Sequence, residues 1–251
     1  MQTKQNDMNA HEAQAALSWL IEMGADEIVG EAPVNRFAVV APAVVVAPVS
    51  KVEPARSAPS TAEACSTLED LQSALLALEN FPLKKTASNL CFAGGDPQSD
   101  VMVIGDVPGR DEDIEGKVFA GQNEMLLEKM LAAIGLSSGG VGLFNLIPWR
   151  PPGNRTPTEA EILLCQPFLL RAIELCGPKF ILCLGGQSAQ RLSGKSEGLL
   201  ALRGKWFDLK IGKKKIRVLP SFHPSYLLKQ ASQKRLAWRD LLTFKEAIDA
   251  H

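Results

Sequence analysis

Apolar and polar positions divide this chain into two unlike stretches. Within residues 10–24, Ala13, Ala16, Leu17, Leu20 and Ile21 recur at helical spacing and predict a short amphipathic helix. Residues 33–59 consist mainly of Ala, Val, Pro and Ser. Prolines at 33, 42, 48, 54 and 59 interrupt any continuous strand or helix there, so a semi-extended linker is expected. A helix is predicted over 61–78, with Thr61 or Ser66 available to cap it.

From residue 100 short apolar runs alternate with amphipathic ones. Strands are predicted at 101–105, 142–146, 180–184 and 216–219, and helices at 122–134, 158–175, 187–192 and 234–247. Thr158 with Glu161 three residues later is a capping-box pattern. Such alternation predicts an α/β fold of three layers, α/β/α, around a mainly parallel four-stranded central sheet. The expected organisation is a helical segment at 1–32, a linker at 33–60 and a catalytic domain at 61–251. Right-handed crossovers put the loops that follow the strands along one sheet edge, where α/β folds build their sites.

Composition narrows the class. Hydrophobic residues at 46% and charged residues at 22% are ordinary for a soluble globular protein. No apolar run reaches the roughly 18 residues needed to cross a membrane, and residues 1–11 lack the order of a secretory signal. The five cysteines (Cys65, Cys91, Cys165, Cys176 and Cys183) are odd in number and form no C-x-x-C pair. Reduced thiols, a cytoplasmic location and no membrane partner are expected. The net charge of −1 hides an asymmetry: residues 191–239 carry thirteen Lys and Arg against only Glu197 and Asp208. That stretch reads either as a solvated lysine-rich face or as a surface for a polyanion.

Three loops after predicted strands carry candidate chemistry: 105–121 with Asp106 and Phe119, 145–155 with Asn145, and 221–228 with His223. Taken singly, each of these residues has a purely structural explanation. Jointly, a carboxylate, an aromatic face, a side-chain amide and an imidazole on one edge are the parts needed to hold and cleave a flipped nucleobase. A third reading is another α/β hydrolase or a nucleotide-binding module; no Walker loop is present, which disfavours the latter.

Gly105-Asp106-Val107-Pro108-Gly109-Arg110-Asp111-Glu112-Asp113 with Gly116-Lys117-Val118-Phe119-Ala120-Gly121, then 145–158 (N-L-I-P-W-R-P-P-G-N-R-T-P-T), then His223-Pro224-Ser225-Tyr226-Leu227-Leu228 resemble the ordered motifs of the uracil-DNA glycosylase superfamily. The resemblance covers about residues 78–246 and is closest to the family 4 enzymes, which usually carry an iron–sulfur cluster. It implies excision of uracil from DNA, the expected partner. Asp106 would orient or activate water, in a place where the family more often has Glu. Phe119 would stack on uracil, Asn145 would read both O4 and N3–H, and His223 would donate to O2. Glu112 would crowd C5 against thymine, while Gly105, Val107 and Pro108 would line the pocket. Arg150, Arg155, Ser225, Tyr226, Leu227, Leu228 and Lys229 would meet DNA, with the leucines offering either a duplex wedge or core contacts. A monomer is expected. The competing reading is a non-catalytic or covalent-trapping uracil-DNA binder on the same fold. The trapping branch uses a histidine in a loop inserted after the first motif, whereas no histidine lies between residues 12 and 222 here.

The chain departs from the resemblance at the cluster. Leu78, Phe81 and Trp149 stand where the family has three of four cluster cysteines, and Cys165 alone remains. One thiolate cannot hold a four-iron cluster. The expectation is therefore no metal, no cofactor and an apolar plug formed by these four side chains.

Overall fold

The computed structural model describes residues 57–79, 81–212 and 214–251. The helix expected at 10–24 and the linker up to residue 56 lie outside these residues. The first described helix, α1 (Ser57–Ala64), begins within the tail of the expected linker, so the helical domain starts earlier than the composition implied. The helix predicted over 61–78 is broken into α1 and α2 (Leu68–Ala77). Thr67 caps the second: its side chain accepts from the Asp70 N–H, and the Asp70 carboxylate accepts from the Thr67 N–H, both at 3.0 Å. Neither residue expected to cap this stretch is the N-cap of α2.

The remaining elements follow the predicted alternation. They are β1 (Ala93–Gly95), β2 (Val101–Gly105), α3 (Arg110–Glu115), α4 (Gly121–Ala132), β3 (Gly142–Asn145), α5 (Glu159–Cys176), β4 (Phe180–Leu184), α6 (Gly186–Ser193), α7 (Leu199–Leu202), β5 (Phe207–Ile211), β6 (Lys214–Ser221), α8 (Pro224–Lys229) and α9 (Lys234–Asp249). The sheet has six strands in the order β1-β3-β2-β4-β6-β5 rather than four. The four predicted strands form its parallel centre, and β1 and β5 extend it as antiparallel edges.

Alternation along the central strands sorts the core into two layers, because successive side chains point to opposite faces. Met102, Ile104, Ile181 and Cys183 pack with Ile162, Cys165, Phe168 and Leu169 of α5. Val101, Val103, Leu182 and Leu184 pack with Leu127 and Leu131 of α4 and with Leu241 and Phe244 of α9. Central strands buried on both faces are apolar along their length, which is why β2 and β4 read as unbroken hydrophobic runs.

The strand order also fixes where a site can form. From β2 the chain crosses to β3 on one side, whereas from β4 it proceeds to β6 on the other. The loops after β2 and β4 therefore diverge and leave a crevice between them at the C-terminal edge.

Candidate active site

In-register pairing of β2 with β3 sets Gly105 beside Asn145. A Cβ on Gly105 would lie 2.6 Å from Asn145 Oδ1, 3.3 Å from Phe119 Cζ and 3.6 Å from His223 Nε2. Groups from three separate loops thus converge above one bare Cα, and only glycine keeps that floor open. The rings of Phe119 and His223 face one another, with centroids 5.5 Å apart and planes 26° from parallel.

Asn145 is buried, and its two amide hydrogens are committed. Nδ2 donates to the carbonyl oxygens of Cys91 at 3.1 Å and Val118 at 3.4 Å, while Oδ1 is buried without a hydrogen-bond partner. The opposite amide orientation would set Oδ1 against two carbonyls, so the network fixes which atom faces the pocket. This differs from the expectation that Asn145 reads both O4 and N3–H: no amide hydrogen is left for O4, and what is presented is a lone acceptor.

His223 ends the segment after β6 and caps α8. Its Nδ1 accepts the Ser225 backbone N–H at 3.1 Å and stands 2.8 Å from Ser225 Oγ. An Nδ1 that accepts carries no proton, so the neutral ring bears its hydrogen on Nε2, the atom nearest Gly105. Burial pushes the imidazole below its ordinary pKa, and the neighbouring Asp106 and Glu112 carboxylates offset part of that shift. Ser225, expected at the DNA, is half-buried and engaged with His223.

Asp106 sits in the crevice between β2 and β4. Oδ1 accepts from the Ser188 N–H at 2.7 Å and from Ser188 Oγ at 2.6 Å, and Oδ2 accepts from the Gln187 N–H at 3.2 Å. The carboxylate therefore occupies the positive N-terminal end of α6, where unpaired N–H groups favour an anion. With three of about four acceptor positions used, Oδ2 keeps one lone pair free. Gly185 has φ +135°, and a Cβ there would overlap the Asp106 carboxylate. The sequence reading missed Gly185, Gln187 and Ser188; the Gly185-Gly186 pair directly after a buried strand was the signal that could have found them.

Other expected site residues are placed differently. Glu112 is buried, and its carboxylate accepts from Gly109 N–H at 3.0 Å, Asn123 Nδ2 at 2.7 Å and Ala120 N–H at 3.4 Å. It clamps the 105–121 loop to the start of α4 and is not a free side chain available to crowd C5. Pro108 is buried and Val107 half-buried in the same loop. Leu227 is 1% exposed and packs with the α4/α9 layer, which removes it as a wedge. Tyr226, Leu228 and Lys229 are exposed, and Tyr226 stacks on Phe222 with centroids 5.1 Å apart. Arg155 is held by Glu161 through two hydrogen bonds, of 2.9 and 2.6 Å, so its charge is already paired. Arg150 Nε donates to Asn154 Oδ1 at 2.8 Å and leaves the guanidinium half-buried beside that loop.

The arrangement has counterparts in known proteins. The model of the Uracil DNA glycosylase superfamily matches residues 92–242, a span that includes Gly105, Asp106, Phe119, Asn145 and His223. The chain belongs to this superfamily. It is 37% identical over 173 residues to the Type-4 uracil-DNA glycosylase of Saccharolobus solfataricus, covering 67% of this chain and 80% of that one. It is 35% identical over 170 residues to the Type-4 uracil-DNA glycosylase of Thermotoga maritima, covering 66% and 87%. The corresponding protein of Archaeoglobus fulgidus is 32% identical over 166 residues, covering 64% and 83%. Membership brings the iron–sulfur cluster into question. Leu78, Phe81, Trp149 and Cys165 fall in or against a single apolar cluster, and the rings of Phe81 and Trp149 are 4.9 Å apart. The one thiol is fully enclosed, and burial pushes its pKa well up, with Glu161 adding to the shift. Leu78, Phe81 and Trp149 carry no atom that ligates iron, and one thiolate cannot hold a four-iron cluster, so these residues do not fit one. Among the described residues no helix is long and apolar enough to cross a membrane.

Proposed function

We propose that this chain is a monofunctional uracil-DNA glycosylase that takes uracil out of the stack, hydrolyses its N-glycosidic bond without a metal or cofactor and leaves an abasic site. The observation that carries the reading is the convergence of Asn145 Oδ1, Phe119 and His223 Nε2 over Gly105. Uracil presents an N3–H donor beside an O2 acceptor. Asn145 Oδ1 accepts the first and His223 Nε2–H donates to the second. Cytosine has a lone pair at N3, which would meet the Asn145 lone pair and leave both unsatisfied. Phe119 offers a stacking surface worth about 1–3 kcal/mol, which helps offset the cost of flipping.

Chemistry follows from charge placement. As the C1′–N1 bond breaks, its electron pair moves into uracil and concentrates at O2, where the His223 Nε2–H stabilises it by roughly 3–4 kcal/mol. Positive charge grows on the sugar, and the Asp106 carboxylate faces it. Water held by the free lone pair of Oδ2 adds to C1′, and its proton leaves through Asp106. No side chain in this set is an amine, which supports direct hydrolysis over a lyase route. Tyr226 and Leu228 are the exposed candidates for supporting the gap in the duplex, with the exposed Lys229 next in sequence for phosphates.

The test is uracil release from single- and double-stranded uracil-containing oligonucleotides by purified protein, alongside Asp106→Asn and His223→Ala. Release by the parent chain and severe loss in both variants is expected. DNA binding without release would instead make the chain a non-catalytic binder. Visible charge-transfer absorbance that scales with bound iron would overturn the cofactor-free part.

A further inference from the structure

The basic segment at 191–239 is only partly explained by the uracil pocket. Three of its cations, Lys214, Lys215 and Arg217, gather with Lys179 at the other end of the sheet. Arg217 pairs with Phe180 at the start of β4 and with Asp208 on β5. It lies about 13 Å along β6 from Ser221, at the edge remote from His223. Two adjoining clefts open there, of about 480 and 400 Å³, and share Lys215 and Arg217 as a common wall. Lys179 and Lys214 line the second.

These cations are not equivalent. Lys179 pairs with Asp100 at 2.8 Å and Lys215 with Asp208 at 3.0 Å, so their charges are compensated. Among the described residues no carboxylate lies within ion-pair distance of Lys214 or Arg217. The guanidinium of Arg217 lies over the Trp206 ring, 4.4 Å from its centroid, and Trp206 is itself stacked with Phe244, centroids 5.7 Å apart. A ring held in this way in turn holds the guanidinium. Stacking leaves the N–H edge of an arginine free for bidentate contact with phosphate oxygens. A held arginine without a carboxylate partner, beside a lysine whose Nζ lies against Gly177 at the C-terminal end of α5, is an anion site with little ordering left to do.

We propose that these clefts bind the phosphodiester backbone of single-stranded DNA, as a second nucleic-acid site separate from the uracil pocket. The paired clefts exceed what one free phosphate would fill, and their uncompensated charge is positive. A duplex lying across the catalytic edge is stiff over about 150 base pairs and cannot turn around the sheet. A single strand can, whether it continues from the strand in the pocket or belongs to another molecule. The inference rests on the glycosylase reading only for DNA as the ligand.

The test uses the full chain and a uracil-free single-stranded oligonucleotide, with affinity measured across a salt series by fluorescence anisotropy. Binding that needs no uracil separates failure here from failure of the catalytic reading. Replacing both cations, Lys214→Ala with Arg217→Ala, should reduce the slope of log affinity against log salt by about 1.4, for two lost contacts on a single strand. Excision from an oligonucleotide too short to leave the pocket should be unchanged, and excision from a long one should show a raised KM at constant kcat. A raised KM on the long strand assigns the strand's own continuation. Loss of binding without it assigns a second molecule. Should Arg217→Ala unfold the protein by uncovering Trp206, the exposed Lys214→Glu alone carries the test and should also weaken binding and flatten the slope. Wild-type affinity and slope in the folded variants, or an equal loss for duplex of the same sequence, would overturn the proposal.

Discussion

The Ser225 backbone N–H donates to Nδ1 of His223 at 3.1 Å, and this one bond decides which ring nitrogen carries the proton. Nε2–H then faces the pocket in a neutral ring. Because burial lowers the His223 pKa, the acid limb of kcat/KM assigned to this group should fall below the ordinary imidazole value of about 6.5. A pH profile checks it, and an inflection at or above that value would contradict the tautomer assignment. His223→Ala should lower kcat by about 10²- to 10³-fold with KM little changed.

The same shift carries a stability consequence. The folded state binds the proton less readily than the unfolded chain, so the His223 contribution is fully present above about pH 6.5 and is lost as pH falls below it. Chemical denaturation between pH 5 and pH 8, as in about the range where histidine titrates, should show stability rising with pH. His223→Ala should flatten that rise.

Asp106 depends on the N-terminus of α6. Asp106→Asn keeps the shape but sets an NH2 group or a weaker acceptor against the Gln187 and Ser188 donors. It should lower kcat by about 10²- to 10⁴-fold, as measured by single-turnover uracil release. Gly185→Ala should act on the same carboxylate from below: a side chain at φ +135° costs about 1–3 kcal/mol and displaces Asp106. Reduced excision together with a lower denaturation midpoint is the expected pair of results.

Asn145→Asp should fail on two counts. A carboxylate has no hydrogen for the carbonyls of Cys91 and Val118, and leaving such buried groups unsatisfied costs about 1–3 kcal/mol each. Uracil excision should fall at the same time as the urea midpoint. A variant with full stability and no activity would separate the two roles and refute the shared network.

Arg203 and Asp240 hold the approach to His223. Asp240 is buried and accepts from Arg203 Nε at 3.1 Å, Arg203 Nη2 at 2.5 Å and Ser221 Oγ at 2.7 Å, while the Arg203 guanidinium lies over Phe222. Asp240→Ala should destabilise the fold by about 3–5 kcal/mol, because it strands the arginine. The milder Ser221→Ala should leave the fold intact and lower kcat more than it changes KM, the mark of a positioning role rather than a merely structural one.

Much of this was legible in the sequence because the central strands are buried on both faces and must be apolar. Strand ends then located Asp106, Asn145 and His223. β5 was missed, although Phe207-Asp208-Leu209-Lys210-Ile211 alternates with period two and could have shown it. β1 was not legible, because Ala93-Gly94-Gly95 has no strand preference and is held by pairing with β3. The site's second layer was hidden for a related reason. Backbone groups do most of its work, such as the carbonyls that orient Asn145 and the amides that hold Asp106, and no residue pattern advertises a carbonyl. Glu112 and Arg155 look like free ligands in sequence because their partners, Asn123 and Glu161, are chosen by loop geometry.

Phe81 and Trp149 close the region beside α5 with carbon rings that arrive with the chain itself. On the proposed cofactor-free reading, folding there calls for nothing delivered after synthesis. A denatured sample diluted out of urea should regain activity in air, unaided by assembly machinery, and production in iron-starved cells should leave its yield intact.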